Sequence, residues 1–385
     1  MNPAPPVTST GRPAKGNDIE DGSDQPKATG TAAPLARVDF GMDSLSRRRF
    51  LRGTALAGAA LSFPAAAATP TASAAGLAPI RPARLREGDT VALVAPAGVL
   101  RSRGTVDEAR ETIESLGLRT VVGENVLDRH GYLAGRDEDR AADLMAAFTD
   151  DAIAGIVAIR GGWGCARLLP FLDWRTIRAN PKAVIGYSDV TSLLLALYAR
   201  TGLVGFHGPV ATSTFTDFTL DSFRPVVFSG EPVELGPDSD EGGMTVIRHG
   251  TARGRLVGGN LTVLAAMVGT PYLPSFEGHI LFLEDIGESV YRIDRMLTQL
   301  GQAGLLGGLA GFVMGSCRGC TPEQDAIASF ELVDVIRQHI EPLGIPAVMG
   351  APFGHVSDKW TVPVGSMAEL RTETGALHLV EAPVV

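Results

Sequence analysis

Short unbroken apolar runs alternate along this chain with stretches in which apolar residues return every three or four positions. The first pattern reads as buried strand and the second as amphipathic helix. "GDTVALVAPAG" predicts a strand over Thr90 to Ala95 that ends in a Pro-Ala-Gly turn. "TVDEARETIESLG" predicts a helix closed by Gly117, "RTVVG" a second strand and "RDEDRAADLMAAFTD" a second helix. "IAGIVAIRGGWG" reads as a strand running into a glycine turn, with a short helix after it at "CARLLPFLD". Lys182 to Tyr187 predicts another strand, and Asp189 to Arg200 a helix with Leu193, Leu194, Leu197 and Tyr198 on one apolar face. "LVGFHGP" supplies a further strand. Alternation of this kind predicts a parallel sheet with helices on both faces.

The fold class expected is therefore α/β, with an N-terminal doubly wound parallel-sheet domain over 83–210. Residues 211–250 contain Pro225, Pro232, Pro237 and the acidic run "PDSDEGG", which reads as a linker carrying one helix. From 251 to 385 the pattern mixes strands and helices and ends in strands with Gly-rich turns, as expected of a smaller β-rich C-terminal domain. No internal repeat interrupts this order.

Composition narrows the function classes. Of 385 residues, 45% are hydrophobic and 20% charged, enough to build an ordinary buried core. The formal net charge of -9 argues against nucleic acid as a partner, because phosphate binding needs a positive surface. Three cysteines, Cys165, Cys317 and Cys320, are too few for a disulfide scaffold. Residues 1–45 lack apolar periodicity and read as disordered. Residues 46–75 read as a twin-arginine signal peptide: Ser46 to Arg52 is "SRRRFLR", a weakly apolar run follows, and Ala72-Ser73-Ala74 offers a cleavage site. Pro64 and the many alanines make this run a poor membrane span, so no stable span is expected after processing. The expected location is periplasmic, extracellular or associated with the cell wall.

The candidate chemistry begins at "IGYSDV". Ser188 and Asp189 stand where a strand turns sharply into a helix. Either residue could simply cap the helix. The same placement also suits a nucleophile elbow, with the Asp189 N–H facing a developing oxyanion, although Val190 stands where the usual second glycine would be. A serine nucleophile needs a base and an orienting acid. His355 in "APFGH" and His207 in "GFHGP" are the candidate bases. Glu284, which ends the apolar strand "HILFL", is the candidate acid, or else the partner of Arg292 or Arg295 in an ion pair.

Taken together, "IRGGWGCARLLPFLDW", "IGYSDVTSLLLAL", "FHGPV", "GGNLTVLAAMVGTPYLP", "LFLEDIGESVYRIDRMLTQL" and "FGH…TVPVG" resemble the LD-carboxypeptidase family, the muramoyltetrapeptide carboxypeptidases. Its relatives include the microcin C self-immunity peptidases. The resemblance runs from Gly88 to the C-terminus in one order. It implies a Ser188-Glu284-His355 triad, an oxyanion hole from the Asp189 N–H and one from the Gly161-Gly162 turn, with Gly162 favoured over Gly161, and substrate contacts from Gly161 and Trp163. Trp163 replaces the tyrosine more frequent in the family's Gly-Gly-Tyr-Gly. The resemblance further implies a homodimer, peptidoglycan stem peptides as partners, no cofactor and no metal. The reaction implied is release of terminal D-alanine from a murein tetrapeptide.

Three alternatives carry different chemistry. Cys317-x-x-Cys320 could serve thiol chemistry, but a lone pair cannot complete a tetrahedral zinc site, and outside the cytoplasm an incidental disulfide is the simpler expectation. A silent wall-binding protein would not need Ser188, Glu284 and His355 together. A microcin-immunity hydrolase of aminoacyl-nucleotide conjugates would act in the cytoplasm, against the export signal.

Overall fold

A computed structural model describes residues 77–236, 244–324 and 326–385. The signal peptide expected over 46–75 and the disorder expected over 1–45 lie outside the described residues.

Two sheets organise the described residues. The first follows the order β2 (Arg119–Val122), β1 (Thr90–Val94), β3 (Ile153–Ala158), β4 (Ala183–Gly186), β5 (Gly205–His207) and β12 (Val362–Val364). All its neighbours run parallel except β12, which lies antiparallel on β5. The apolar runs "VALV", "GIVA" and "AVIG" form its middle and are buried on both sides, as parallel strands covered by helices must be. The chain passes from β1 outward to β2 and then back across to β3. Beyond the carboxyl ends of β1 and β3 the connections therefore diverge, and in doubly wound sheets such a divergence opens a crevice.

The second sheet has eight strands: β6 (Glu234–Leu235), β14 (Ala376–Leu379), β13 (Met367–Arg371), β8 (Thr251–Asn260), β9 (His279–Ile286), β10 (Gly311–Arg318), β11 (Ala347–Ala351) and β7 (Thr245–Arg248). Its centre, β8 to β11, is parallel, and its flanks are antiparallel. Two expectations change here. The stretch 211–250 is no mere linker, since β6 and β7 from it edge this sheet on opposite sides. Conversely, β12 leaves the C-terminal part to complete the first sheet, with Val362 opposite His207. Both strands and β12 are short, so their pairing rests on distant partners rather than on local pattern.

Of the helices, α1 (Arg103–Glu114), α2 (Asp137–Thr149), α3 (Cys165–Leu168), α4 (Trp174–Ala179) and α5 (Thr191–Thr201) belong to the first βα alternation. The sequence predicted one apolar face for α5. Instead every residue from Thr191 to Leu197 is buried. The reason is that α5 packs against β5 on one side and β8 on the other, between the two sheets. The backbone N–H of Asn260, at the end of β8, donates to Thr191 Oγ1 at 2.9 Å, which ties that strand to the start of α5.

Candidate active site

Ser188 follows β4 in a single tight turn, Ser188–Val190, before α5 begins. Its φ of 63° makes it the one non-glycine residue with positive φ among the described residues. An L-residue in that region carries strain of about 1–3 kcal/mol. The hydroxyl projects beyond the strand end toward His355, and Ser188 makes no cap bond. Its neighbour braces a different helix. The buried Asp189 carboxylate accepts the Cys165 N–H at 2.8 Å and so holds the start of α3. Burial pushes its carboxyl pKa up, and the hydrogen bonds at α3 partly oppose that.

The loop after β11 carries His355 to Ser188. His355 Nε2 lies 3.1 Å from Ser188 Oγ, and His355 Nδ1 lies 2.8 Å from Glu284 Oε2. A carboxylate only accepts, so Nδ1 carries the hydrogen and Nε2 is left to accept from the serine hydroxyl. Tyr187 meets the imidazole edge-on, with ring centroids 4.9 Å apart. Gly354 makes this approach possible: at φ +97° it has no side chain, and a Cβ there would stand 2.4 Å from Glu284 Oε2.

Glu284 is fully buried on β9. Burial by itself would raise its pKa; the imidazoles of His207 and His355 outweigh that and hold it at about 2. His207 Nε2 stands 3.7 Å from Glu284 Oε1, too far for a hydrogen bond but close enough for electrostatic support. His207, one of the two candidate bases, thus lies behind the carboxylate and not beside the serine. The ion-pair reading of Glu284 is set aside by the same geometry, because Arg292 pairs with Glu288 at 3.7 Å. Next along the strand, Asp285 points to the opposite face, as successive strand residues do. It accepts from the Thr262 N–H at 2.9 Å and so holds the start of helix α6 (Leu261–Ala266).

Ser188 and His355 open onto a cleft of about 440 Å³ that also includes Arg101, Glu108, Arg160, Gly161, Gly162 and Thr212. It occupies the crevice between the connections that follow β1 and β3. Arg140 on α2 stitches these connections together, its Nη1 donating to Pro96 O at 2.5 Å and Gly164 O at 3.1 Å. Gly161 lets the turn come close, since a Cβ there would lie 2.9 Å from Ser188 Cβ. The N–H groups of Asp189, Gly161 and Gly162 meet no acceptor among the described residues. Preformed free donors beside a nucleophile are what an oxyanion requires.

The structure therefore brings together Ser188, Asp189, Gly161, Gly162, Glu284 and His355. Trp163 is the exception: it is 44% exposed and does not line the cleft. Arg101, Glu108 and Arg160 were not singled out in the sequence. The one available signal was the position of Arg160, directly before the glycine turn that ends β3. Cys317 and Cys320 face each other at the end of β10, sulfurs 2.7 Å apart.

Comparison with known proteins adds the following. Residues 91–208 match the family model described as the LD-carboxypeptidase N-terminal domain, and 253–370 that described as the LD-carboxypeptidase C-terminal domain. The murein tetrapeptide carboxypeptidase of Pseudomonas aeruginosa is 35% identical over 293 residues, covering 73% of this chain and 92% of that protein. The microcin C7 self-immunity protein MccF of Escherichia coli is 28% identical over 324 residues, covering 74% and 92% respectively. The crystal structure of a muramoyltetrapeptide carboxypeptidase from Oxalobacter formigenes superposes with a TM-score of 0.66 at 34% identity, covering 75% of this chain and 97% of that one.

Proposed function

The chain belongs to the LD-carboxypeptidase family and is a carboxypeptidase, and on that premise we propose that it releases terminal D-alanine from murein tetrapeptides by a serine mechanism. The observation that carries this reading is the contact chain Ser188 Oγ, His355, Glu284, at 3.1 and 2.8 Å. Ser188 Oγ attacks the carbonyl carbon of the L,D-amide bond while its proton passes to His355 Nε2. The carbonyl oxygen becomes an anion facing the N–H groups of Asp189 and Gly162. Collapse of this intermediate breaks the C–N bond, and His355 gives its proton to the leaving amine of D-alanine. Water then cleaves the acyl-serine by the same proton path. Glu284 stays ionised throughout, in keeping with its low pKa, and steadies the imidazolium each time it forms.

Incubation with defined tri-, tetra- and pentapeptide muropeptides, read by mass spectrometry, tests the reaction. D-Alanine should leave the tetrapeptide alone. Ser188→Ala should lower turnover by roughly a thousandfold or more while leaving the circular dichroism spectrum unchanged, because triad members act as a unit. Substantial turnover by that variant would remove Ser188 from the mechanism.

The reading extends to location. The run "SRRRFLR" at Ser46 to Arg52 supports export through the twin-arginine route. Replacing Arg47 and Arg48 by Lys should trap the precursor inside the cell, as fractionation and immunoblotting would reveal. Normal export of the double variant would defeat this part of the proposal.

A further inference from the structure

A carboxypeptidase must tell a chain end from a chain middle, and the only feature that marks the end is the terminal carboxylate. This protein carries a formal net charge of -9, so its surface at large gives an anion no welcome. The cleft beside Ser188 departs from that balance. Two guanidinium groups line it, those of Arg101 and Arg160, and among the described residues neither forms an ion pair with a carboxylate. Glu108 lines the same cleft but stays beyond ion-pair distance of both.

The two arginines differ in how they are held. Arg101 is exposed. Arg160 is partly buried and fixed on two backbone carbonyls: its Nε donates to Gly161 O and its Nη1 to Val99 O, each at 3.2 Å. Its Nη2 donates to no group among the described residues. That atom stands 4.0 Å from where a Cβ on Gly162 would project, so the free edge of the guanidinium adjoins the turn that faces Ser188. A substrate's terminal carboxylate lies one residue beyond the scissile carbonyl, about 3.8 Å along the chain from Cα to Cα. A carbonyl oxygen held at Gly162 would therefore put the carboxylate within reach of Arg160. Arginine suits the task, because its planar fork offers paired donors to a carboxylate and stays charged at every relevant pH.

We propose that Arg160 is the specificity-determining residue of this enzyme, receiving the α-carboxylate of the residue to be released, with Arg101 adding positive charge at the cleft mouth. The inference rests on the serine-mechanism reading above, which places the scissile carbonyl between Ser188 and Gly162. The anchoring carbonyls of Val99 and Gly161 tie this subsite rigidly to the loops after β1 and β3. A substrate lacking the charge leaves the guanidinium edge unpaired, so it is rejected and not merely bound less well.

The test compares one murein tetrapeptide as free acid and as C-terminal amide. Binding is measured by calorimetry on Ser188→Ala protein, with and without Arg160→Gln, and cleavage on wild type, Arg160→Gln and Arg160→Lys. The Ser188→Ala protein should favour the acid by roughly 30- to 100-fold. Arg160→Gln should bring that ratio to a few-fold at most, and Arg160→Lys should fall between, keeping charge but losing the fork. The ratio is the readout because general damage to the loop weakens both peptides alike. An acid-over-amide preference that survives Arg160→Gln, or none in the parent, would overturn the subsite. Failure of the wild type to cleave the free acid, while still binding it in the expected ratio, would instead defeat the D-alanine-releasing reading and leave Arg160 as the carboxylate receptor.

Discussion

Ser188 occupies a left-handed backbone conformation that other non-glycine residues of the described chain avoid. The strain is specific to the presence of a Cβ, which gives a way to measure it. Ser188→Ala and Ser188→Gly both remove the hydroxyl and its contact with His355, so their difference isolates the backbone. Glycine tolerates positive φ, and alanine does not. Ser188→Gly should be the more stable of the two by about 1 kcal/mol in urea unfolding, despite the extra freedom glycine gives the unfolded chain. Equal stability would mean that the elbow stores no strain.

At the scale of elements, the site depends on loops that run closer together than side chains would allow. The turn at Gly354 presses the His355 loop onto β9. Gly354→Ala would push a methyl against Glu284 Oε2, at 2.4 Å in an unrelaxed backbone, and would strain φ as well. Gly304, after helix α7 (Val290–Gln302), has a positive φ of 75° too, but a Cβ there meets nothing within 4 Å. The pair separates backbone strain from contact. Gly304→Ala should cost about 1 kcal/mol of stability and leave kcat unchanged. Gly354→Ala should lose more stability and lower kcat by more than tenfold, because the imidazole is displaced from both partners. Similar kcat for both variants would show that the loop yields without disturbing His355.

For the whole molecule, the site joins parts of the chain that fold into different sheets. Ser188 leaves the first sheet, and Glu284 lies on the second. Glu284 is an ionised group buried between them, which links stability to pH. Its pKa falls from an ordinary 4.5 to about 2 on folding, so the unfolded chain binds the proton more readily. The stabilisation is therefore present above about pH 4.5 and is lost as pH falls from there through about 2, and it amounts to roughly 3 kcal/mol. Glu284→Gln removes this linkage. Its acid unfolding curve should be flatter than wild type across that window. Its kcat at neutral pH should fall roughly 10⁴-fold, since an amide can hold the wrong imidazole tautomer toward Ser188. A variant with near-normal kcat per folded molecule and only a lower melting temperature would reduce Glu284 to a structural role.

What the sequence determined by itself was whatever depends on near neighbours. The βα alternation of the first sheet, the strand-turn-helix junction at Ser188 and the glycine turns follow from local hydrophobic period and backbone freedom. Ser188, Glu284 and His355 were also named together, through the resemblance that the ordered motifs carry. Tertiary structure decided the rest. It chose His355 over His207 for the serine, because β5 leaves His207 behind the carboxylate whereas the β11 loop reaches over it. It buried α5 on all sides, where sequence period predicted one apolar face, because a second sheet covers it. It drew β6 and β7 out of an apparent linker and sent β12 to the other sheet. It turned Trp163 away from the cleft and brought Arg160 into it. Each of these outcomes is set by contacts between residues far apart in sequence, whose partners no local pattern names.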